Sequence, residues 1–308
     1  MVQVAYIGLG NMGYVIASQL ADYLKSISEP PLLIYNRTSS KSQQLANERK
    51  HVHVANTIEE IAKQADIIFS CLFNEESVKE IIGKQLIQSG HLKKNAILVD
   101  QTTISPEIAT EVAKLTTNTS ITYLVSMILG APPRLKAKQA ISLLSGPLSQ
   151  RQQIIPYLQS SIGPCVVQVS EEQCASAKLK LCGNYMVFGL IEMVAQALTL
   201  GEASGIGQDV VKQMIDGIFA GTPFVDYSGR MVNETYNDQV LFSLEGALKD
   251  SKFILDLANK SNVDLPTTKA FQEKISTLQK KNPDLDVSGV VGLHREAAGL
   301  NFNLKENK

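Results

Sequence analysis

The chain opens on six residues of strand character, Val2-Gln3-Val4-Ala5-Tyr6-Ile7. They run directly into Gly8-Leu9-Gly10-Asn11-Met12-Gly13 and then a helical stretch of Ile, Ala and Leu. No other feature limits the fold as strongly. Gly8 suits the tight turn, Gly10 lets backbone approach a pyrophosphate, and Gly13 lets the helix pack on the strand. The helix start then offers unpaired N–H groups and a positive dipole end to phosphate. The G-x-G-x-x-G spacing is weak alone, but here a strand precedes it and a helix and second strand follow. Gly8, Leu9, Gly10, Asn11, Met12 and Gly13 are therefore the expected dinucleotide-binding turn.

The rest of the first half supports that reading. Residues 2–7, 32–35, 66–71, 97–99, 121–125, 141–144 and 166–169 read as strands, rich in Ile, Val and Leu. Residues 12–25, 57–64, 76–88 and 106–114 carry apolar side chains at helical spacing. Such alternation predicts an α/β fold, a Rossmann-type doubly wound parallel sheet over residues 1–170. Residues 171–308 show no convincing strand, only helix-like runs divided by Gly and Pro, and are expected to form an all-α domain for substrate binding and dimerisation. Within it, residues 173–203 form one long run that is apolar on nearly every side beyond Tyr185. Such a helix must be buried in protein, between two domains or two subunits, so a homodimer is expected.

The end of the second strand bears on the cofactor's form. A carboxylate there would bind the ribose 2′-OH of NAD. The chain instead has Asn36-Arg37-Thr38-Ser39-Ser40-Lys41, two cations and three hydroxyls. A guanidinium grips a 2′-phosphate by paired charge-assisted hydrogen bonds, so NADP(H) is expected, with Asn36, Arg37 and Thr38 in contact.

Of the 308 residues, 44% are hydrophobic and 19% charged, enough apolar side chain for sizeable cores. With 29 basic against 30 acidic residues the net charge is −1, so general attraction to nucleic acid or an anionic membrane is not expected. Four cysteines and four histidines lack the spacing of disulfide or metal frameworks, and reduced thiols in a cytosolic protein without a metal site are expected. The apolar residues 185–200 carry Glu192 and Gln196 and are short for a lipid span. No basic lead-in or cleavage site marks secretion.

Taken together, the glycine turn, Asn36-Arg37-Thr38 and the helical second half resemble the β-hydroxyacid dehydrogenase family. That family includes 3-hydroxyisobutyrate dehydrogenase and the NADPH-dependent glyoxylate and succinic semialdehyde reductases. Its fourth-strand signature looks like Cys71-Leu72-Phe73-Asn74, which implies Leu72 and Phe73 near the nicotinamide. Its D-x-[ST]-T-x-x-P segment is matched by Asp100-Gln101-Thr102-Thr103-Ile104-Ser105-Pro106, implying Thr103 at cofactor or substrate. Leu248-Lys249-Asp250 resembles its K-D motif, whose lysine, here Lys249, reaches the cofactor.

The family's catalytic helix reads G-x-G-x-x-x-K-x-x-N-N. The matching stretch runs from Cys174 to Asn184 and offers two lysines. Lys180 and Asn184 are four apart and share a helix face, whereas Lys178 lies about 200° away from Lys180. Family spacing also selects Lys180. Hydride delivery to a carbonyl leaves an alkoxide that needs a proton. A lysine in an apolar cleft suits acid–base work, with Asn184 orienting the substrate oxygen. The segment usually written [DE]-A-P-V-S-G-G appears as Val125-Ser126-Met127-Ile128-Leu129-Gly130-Ala131, so Leu129 stands where the family binds a carboxylate with serine. Met127, Leu129 and Gly130 are the expected substrate residues, and a more apolar aldehyde or ketone is the expected fit. Two further readings stay open: an imine reductase-like enzyme, against which Lys180 argues, and a non-catalytic NADP(H)-binding protein.

Overall fold

A computed structural model describes residues 1–304. The chain divides into two compact units, residues 1–180 and 181–308, and the second is described here to residue 304. The first unit alternates strand and helix: β1 (Val4–Ile7), α1 (Asn11–Ser26), β2 (Leu32–Tyr35), α2 (Ser39–Glu48), β3 (Val52–Val54), α3 (Ile58–Gln64) and β4 (Ile67–Ser70). Next come α4 (Glu75–Val78), a π-helix (Lys79–Ile87), β5 (Ile97–Asp100), α5 (Pro106–Leu115) and β6 (Thr122–Leu129). Last are α6 (Pro132–Lys136), β7 (Ile141–Ser145), α7 (Leu148–Ser161) and β8 (Val166–Ser170). Among the described residues these strands form one sheet ordered β3-β2-β1-β4-β5-β6-β7-β8. Both faces are covered. Val4 and Tyr6 pack with Leu20, Leu24 and Leu158 on one side, while Ala5 and Ile7 pack with Ile58, Ile61 and Ile108 on the other. Burial on both faces is why the strands read as continuous apolar runs rather than alternating ones.

Local sequence accounts for several helix starts. Thr57 accepts from Glu60 N, Asn74 from Ser77 N, and Ser105 from Ile108 N with Pro106 at the first helical position. Four features depart from expectation. β7 runs antiparallel to β6, because residues 130–140 hold only the short α6 and cannot make the long crossover that a parallel partner needs. β6 continues to Leu129, through the segment expected to be a substrate loop. The stretch expected as a helix over 76–88 is mostly π-helical. The helices α2 and α7 and the three-residue β3 carried no clear periodic signal.

The second unit is helical. The long α8 (Ala175–Ala203) begins in the first unit and continues into the second. It is followed by α9 (Gln208–Ile218), α10 (Pro223–Val232), α11 (Leu244–Lys260), α12 (Pro266–Lys281) and α13 (Val290–Ala297). Phe188, Ile191, Val194, Ala195 and Leu198 of α8 pack with Leu244, Ile254, Phe271 and Ile275, and the Phe188 and Phe271 rings stack at 4.4 Å. The division at Lys180 lies ten residues beyond the expected boundary, because Cys174, Ala177 and Leu179 pack into the core of the first unit. By length and composition α8 could cross a membrane, but over half of its most apolar window is buried inside the protein. Its burial is not complete: Met186, Met193 and Leu200, seven residues apart, are 65%, 55% and 70% exposed.

Candidate functional site

The carboxyl ends of β1, β2, β4, β5 and β6 lie along one edge of the sheet, since these strands are mutually parallel. The strand order reverses direction between β1 and β4, the switch point at which open α/β sheets bind ligands. The glycine turn follows β1 there. Gly8 adopts φ +96° and donates its N–H to Tyr35 O at 2.9 Å. A Cβ at Gly8 would lie 2.3 Å from Cys71 O, and one at Gly13 would lie 2.1 Å from Gly8 O. Both glycines are demanded by the protein's own packing. A Cβ at Gly10 would meet nothing within 4 Å. That open side, with Gly10 preceding α1 and no side chain capping it, leaves the N–H groups of Asn11, Met12 and Gly13 without helical partners. The arrangement fits a pyrophosphate. Leu9 is a correction: its side chain is buried in the core and its N–H donates to Asn36 Oδ1 at 2.8 Å.

Asn36 thereby braces the glycine turn, and its Nδ2 donates to Thr38 O at 3.0 Å. Its amide is committed to holding two loops together. Arg37 and Thr38 are exposed beyond the end of β2, with Thr38 preceding α2.

Beyond β4 and β5 a buried polar brace supports the edge. Leu72 donates its N–H to Thr102 Oγ1 at 2.8 Å, and Thr102 donates its own N–H to Asp100 Oδ1 at 3.0 Å. Asp100 also accepts from Ser70 Oγ (3.2 Å) and Tyr123 OH (3.0 Å). Burial raises its carboxyl above the ordinary value, against the pull of those hydrogen bonds. Gln101 accepts from Tyr6 OH at 2.7 Å, and its buried Nε2 has no hydrogen-bond partner among the described residues. Thr103, expected at cofactor or substrate, is half-buried, and the brace beside it was not expected. Its signal was the Asp100-Gln101-Thr102 string itself. Phe73 is 74% exposed.

At the end of β6, Lys180 donates from Nζ to Ile128 O at 2.7 Å. Lys178 is exposed, as the helical angle between the two lysines requires. The start of α8 is tied to the sheet by two buried hydroxyls. Ser145 Oγ lies 2.7 Å from both Gln173 O and Ser176 Oγ and accepts from Ser176 N, while Ser176 Oγ donates to Val125 O at 3.1 Å. Thus β6 holds α8 at two carbonyls, those of Val125 and Ile128. Leu129 is half-buried and Gly130 has φ +142° where a Cβ would press on Ala140. Met127 is a correction. Strand alternation turns it, with Tyr123 and Val125, into the core, where it is fully buried.

In the second unit, Asn184 donates from Nδ2 to Asp250 Oδ2 at 2.7 Å, and both side chains are buried. Lys249 places Nζ 3.7 Å from Asp250 Oδ1 and 5.9 Å from the Phe253 ring centre. The expected residues therefore fall into two groups: the sheet edge with Lys180, and Asn184 with Lys249.

Two family models match the chain. The NAD binding domain of 6-phosphogluconate dehydrogenase matches residues 3–170, and the NAD-binding domain of NADP-dependent 3-hydroxyisobutyrate dehydrogenase matches residues 174–294. The NADH-dependent oxidoreductase ucdB of Aspergillus ustus is 25% identical over 95% of this chain and 99% of its own. A structure of Mycobacterium tuberculosis 3-hydroxyisobutyrate dehydrogenase with L-serine has a TM-score of 0.81 at 19% identity, over 96% of this chain and 99% of that one. An imine reductase from Myxococcus stipitatus in complex with NADP+ has a TM-score of 0.60 at 21% identity, over 95% and 99%.

Proposed function

The chain belongs to the β-hydroxyacid dehydrogenase family as a 3-hydroxyisobutyrate dehydrogenase-like oxidoreductase, and from that premise we propose an NADP(H)-dependent enzyme for small carbonyl or alcohol substrates. Lys180 is its general acid in reduction and general base in oxidation. The observation that carries this reading is the Lys180 ammonium at the end of β6, held on Ile128 O along the same sheet edge as the glycine turn. A bound nicotinamide supplies the hydride. Gly10 and the start of α1 would hold its pyrophosphate, and Leu72 and Thr103 lie on the strand ends beside the switch point. Arg37, exposed where no carboxylate follows β2, supports NADP over NAD.

Lys180 supplies the proton to the developing alkoxide and stabilises its charge while the proton moves. Asn184, one helical turn further along α8, orients the substrate oxygen. Leu129 offers no hydrogen bond to a carboxylate, which favours an apolar aldehyde or ketone. Imine reduction is the second reading, favoured by the same leucine and opposed by Lys180.

The active form is a homodimer formed through the second unit. Met186, Met193, Leu200, Ile206, Val210, Met214 and Ile218 are each more than half exposed. They are the candidates for the apolar centre of that interface.

The test follows NADPH and NADH consumption against aldehydes, ketones, 2-ketoacids and cyclic imines, with Lys180→Ala and Arg37→Ala alongside. Lys180→Ala is expected to lose roughly 100- to 10,000-fold in kcat, and Arg37→Ala to lose affinity for NADPH but not NADH. Cofactor binding without turnover on any class would favour a binding protein. Tighter NADH than NADPH binding by the natural chain would overturn the cofactor assignment.

A further inference from the structure

We infer that Asp250 is the positioning residue for Asn184: its carboxylate holds the side-chain amide with nitrogen inward, leaving the carbonyl oxygen as the end presented to substrate. The inference rests on the reductase reading above and adds to it a residue besides Lys180 and Asn184.

An asparagine amide has two unlike ends of nearly equal size, and a site that uses one must prevent the flip. A carboxylate only accepts hydrogen bonds, so the group facing it must be the NH2. Asn184 Nδ2 and Asp250 Oδ2 are 2.7 Å apart, and the two side chains are only 5% and 4% exposed. In that setting a wrong-way amide would set oxygen against oxygen without water between them, a costly arrangement. Lys249, adjacent in sequence, has its ammonium 3.7 Å from the other carboxylate oxygen, Oδ1. One buried carboxylate thus faces the amide with one oxygen and a cation with the other. The amide–carboxylate contact joins α8 to α11 across 66 residues of sequence.

The consequence is chemical. An amide oxygen accepts, so the oxygen that Asn184 orients is the hydroxyl of the alcohol, product of reduction and substrate of oxidation, and not the carbonyl oxygen itself. Reduction creates such a donor at the reacting carbon when carbonyl becomes alcohol or imine becomes amine.

The experiment is a double-mutant cycle of Asp250→Asn and Asn184→Ala. It reads kcat and KM on the best substrate of the panel at saturating NADPH, with NADPH Kd from fluorescence titration. Acting through Asn184, Asp250→Asn is expected to lower kcat about tenfold with KM little changed, and by less than about twofold when Asn184 is already alanine. Independent, multiplying losses, or an unchanged kcat, would overturn the inference. Should Asp250→Asn fail to fold, the natural chain with NADPH and 15N-labelled asparagine decides. The Asn184 amide, assigned by its loss in Asn184→Ala, is expected to exchange slowly with solvent, and fast exchange would overturn the proposal. No turnover by the natural chain on any substrate class removes the reductase reading and this inference together. An Asp250→Asn variant that turns over with the kcat of the natural chain removes the inference alone.

Discussion

Gly10 and Gly13 sit three residues apart in one motif, yet they answer to different forces. Gly13→Ala would drive a methyl to 2.1 Å from Gly8 O, so loss of folded protein is expected in thermal denaturation. Gly10→Ala meets no protein atom within 4 Å, so an unchanged Tm with weakened NADPH binding is expected, measured by fluorescence titration. Normal binding by that variant would show that the pyrophosphate lies elsewhere. Asp100 makes a different prediction, about acid. Burial raises its carboxyl above the ordinary 3.8, so the folded state binds its proton more tightly than the unfolded chain does. Its contribution to stability is present below 3.8 and is lost as pH rises through the raised folded value. Urea denaturation across the acid range should show the stability of the natural chain falling relative to Asp100→Asn as pH climbs from 3.8. The opposite slope would rule out the raised value.

The strands and glycine turn were legible because each depends on neighbours in the chain, and so were the helix starts at Thr57, Asn74 and Ser105. The docking of α8 was not. Ser176 stands where the resemblance expects glycine, and without a structure it reads only as a departure. Folded, it is a fully buried hydroxyl bonded to Val125 O and beside Ser145, partners 51 and 31 residues away. Ser176→Ala leaves two buried polar groups with one partner fewer and should cost about 1–3 kcal/mol. Because β6 also holds Lys180 through Ile128 O, kcat should fall in the same variant even where it remains folded. A Tm and kcat both equal to those of the natural chain would show that the serine pair does not position the helix.

Seven large apolar side chains on α8, α9 and the turn between them are each more than half exposed. Met193→Glu places a charge at the middle of the three exposed positions on α8. A dimer by light scattering that becomes a monomer in this variant is the expected outcome. A natural chain that is monomeric at micromolar concentration would discard the interface. Met186, Met193 and Leu200 stay exposed within one copy of the chain, and the expected burial between two subunits would need a second copy to cover them.

The period of the apolar residues and the Gly8-x-Gly10-x-x-Gly13 spacing were enough to set the α/β class, the turn between β1 and α1, and the different faces of α8 that carry Lys180 and Lys178. Each follows from rules that act over a few residues: steric limits at glycine, strand and helix periodicity, and the angle between helical positions. The reversal of β7, the inward turn of Met127, the end of the first unit at Lys180, and the pairing of Asn184 with Asp250 required the folded chain. Each depends on which distant segment arrives alongside, through hydrogen bonds and packing between residues tens of positions apart. No local preference encodes those meetings, because their energy exists only once both segments are in place.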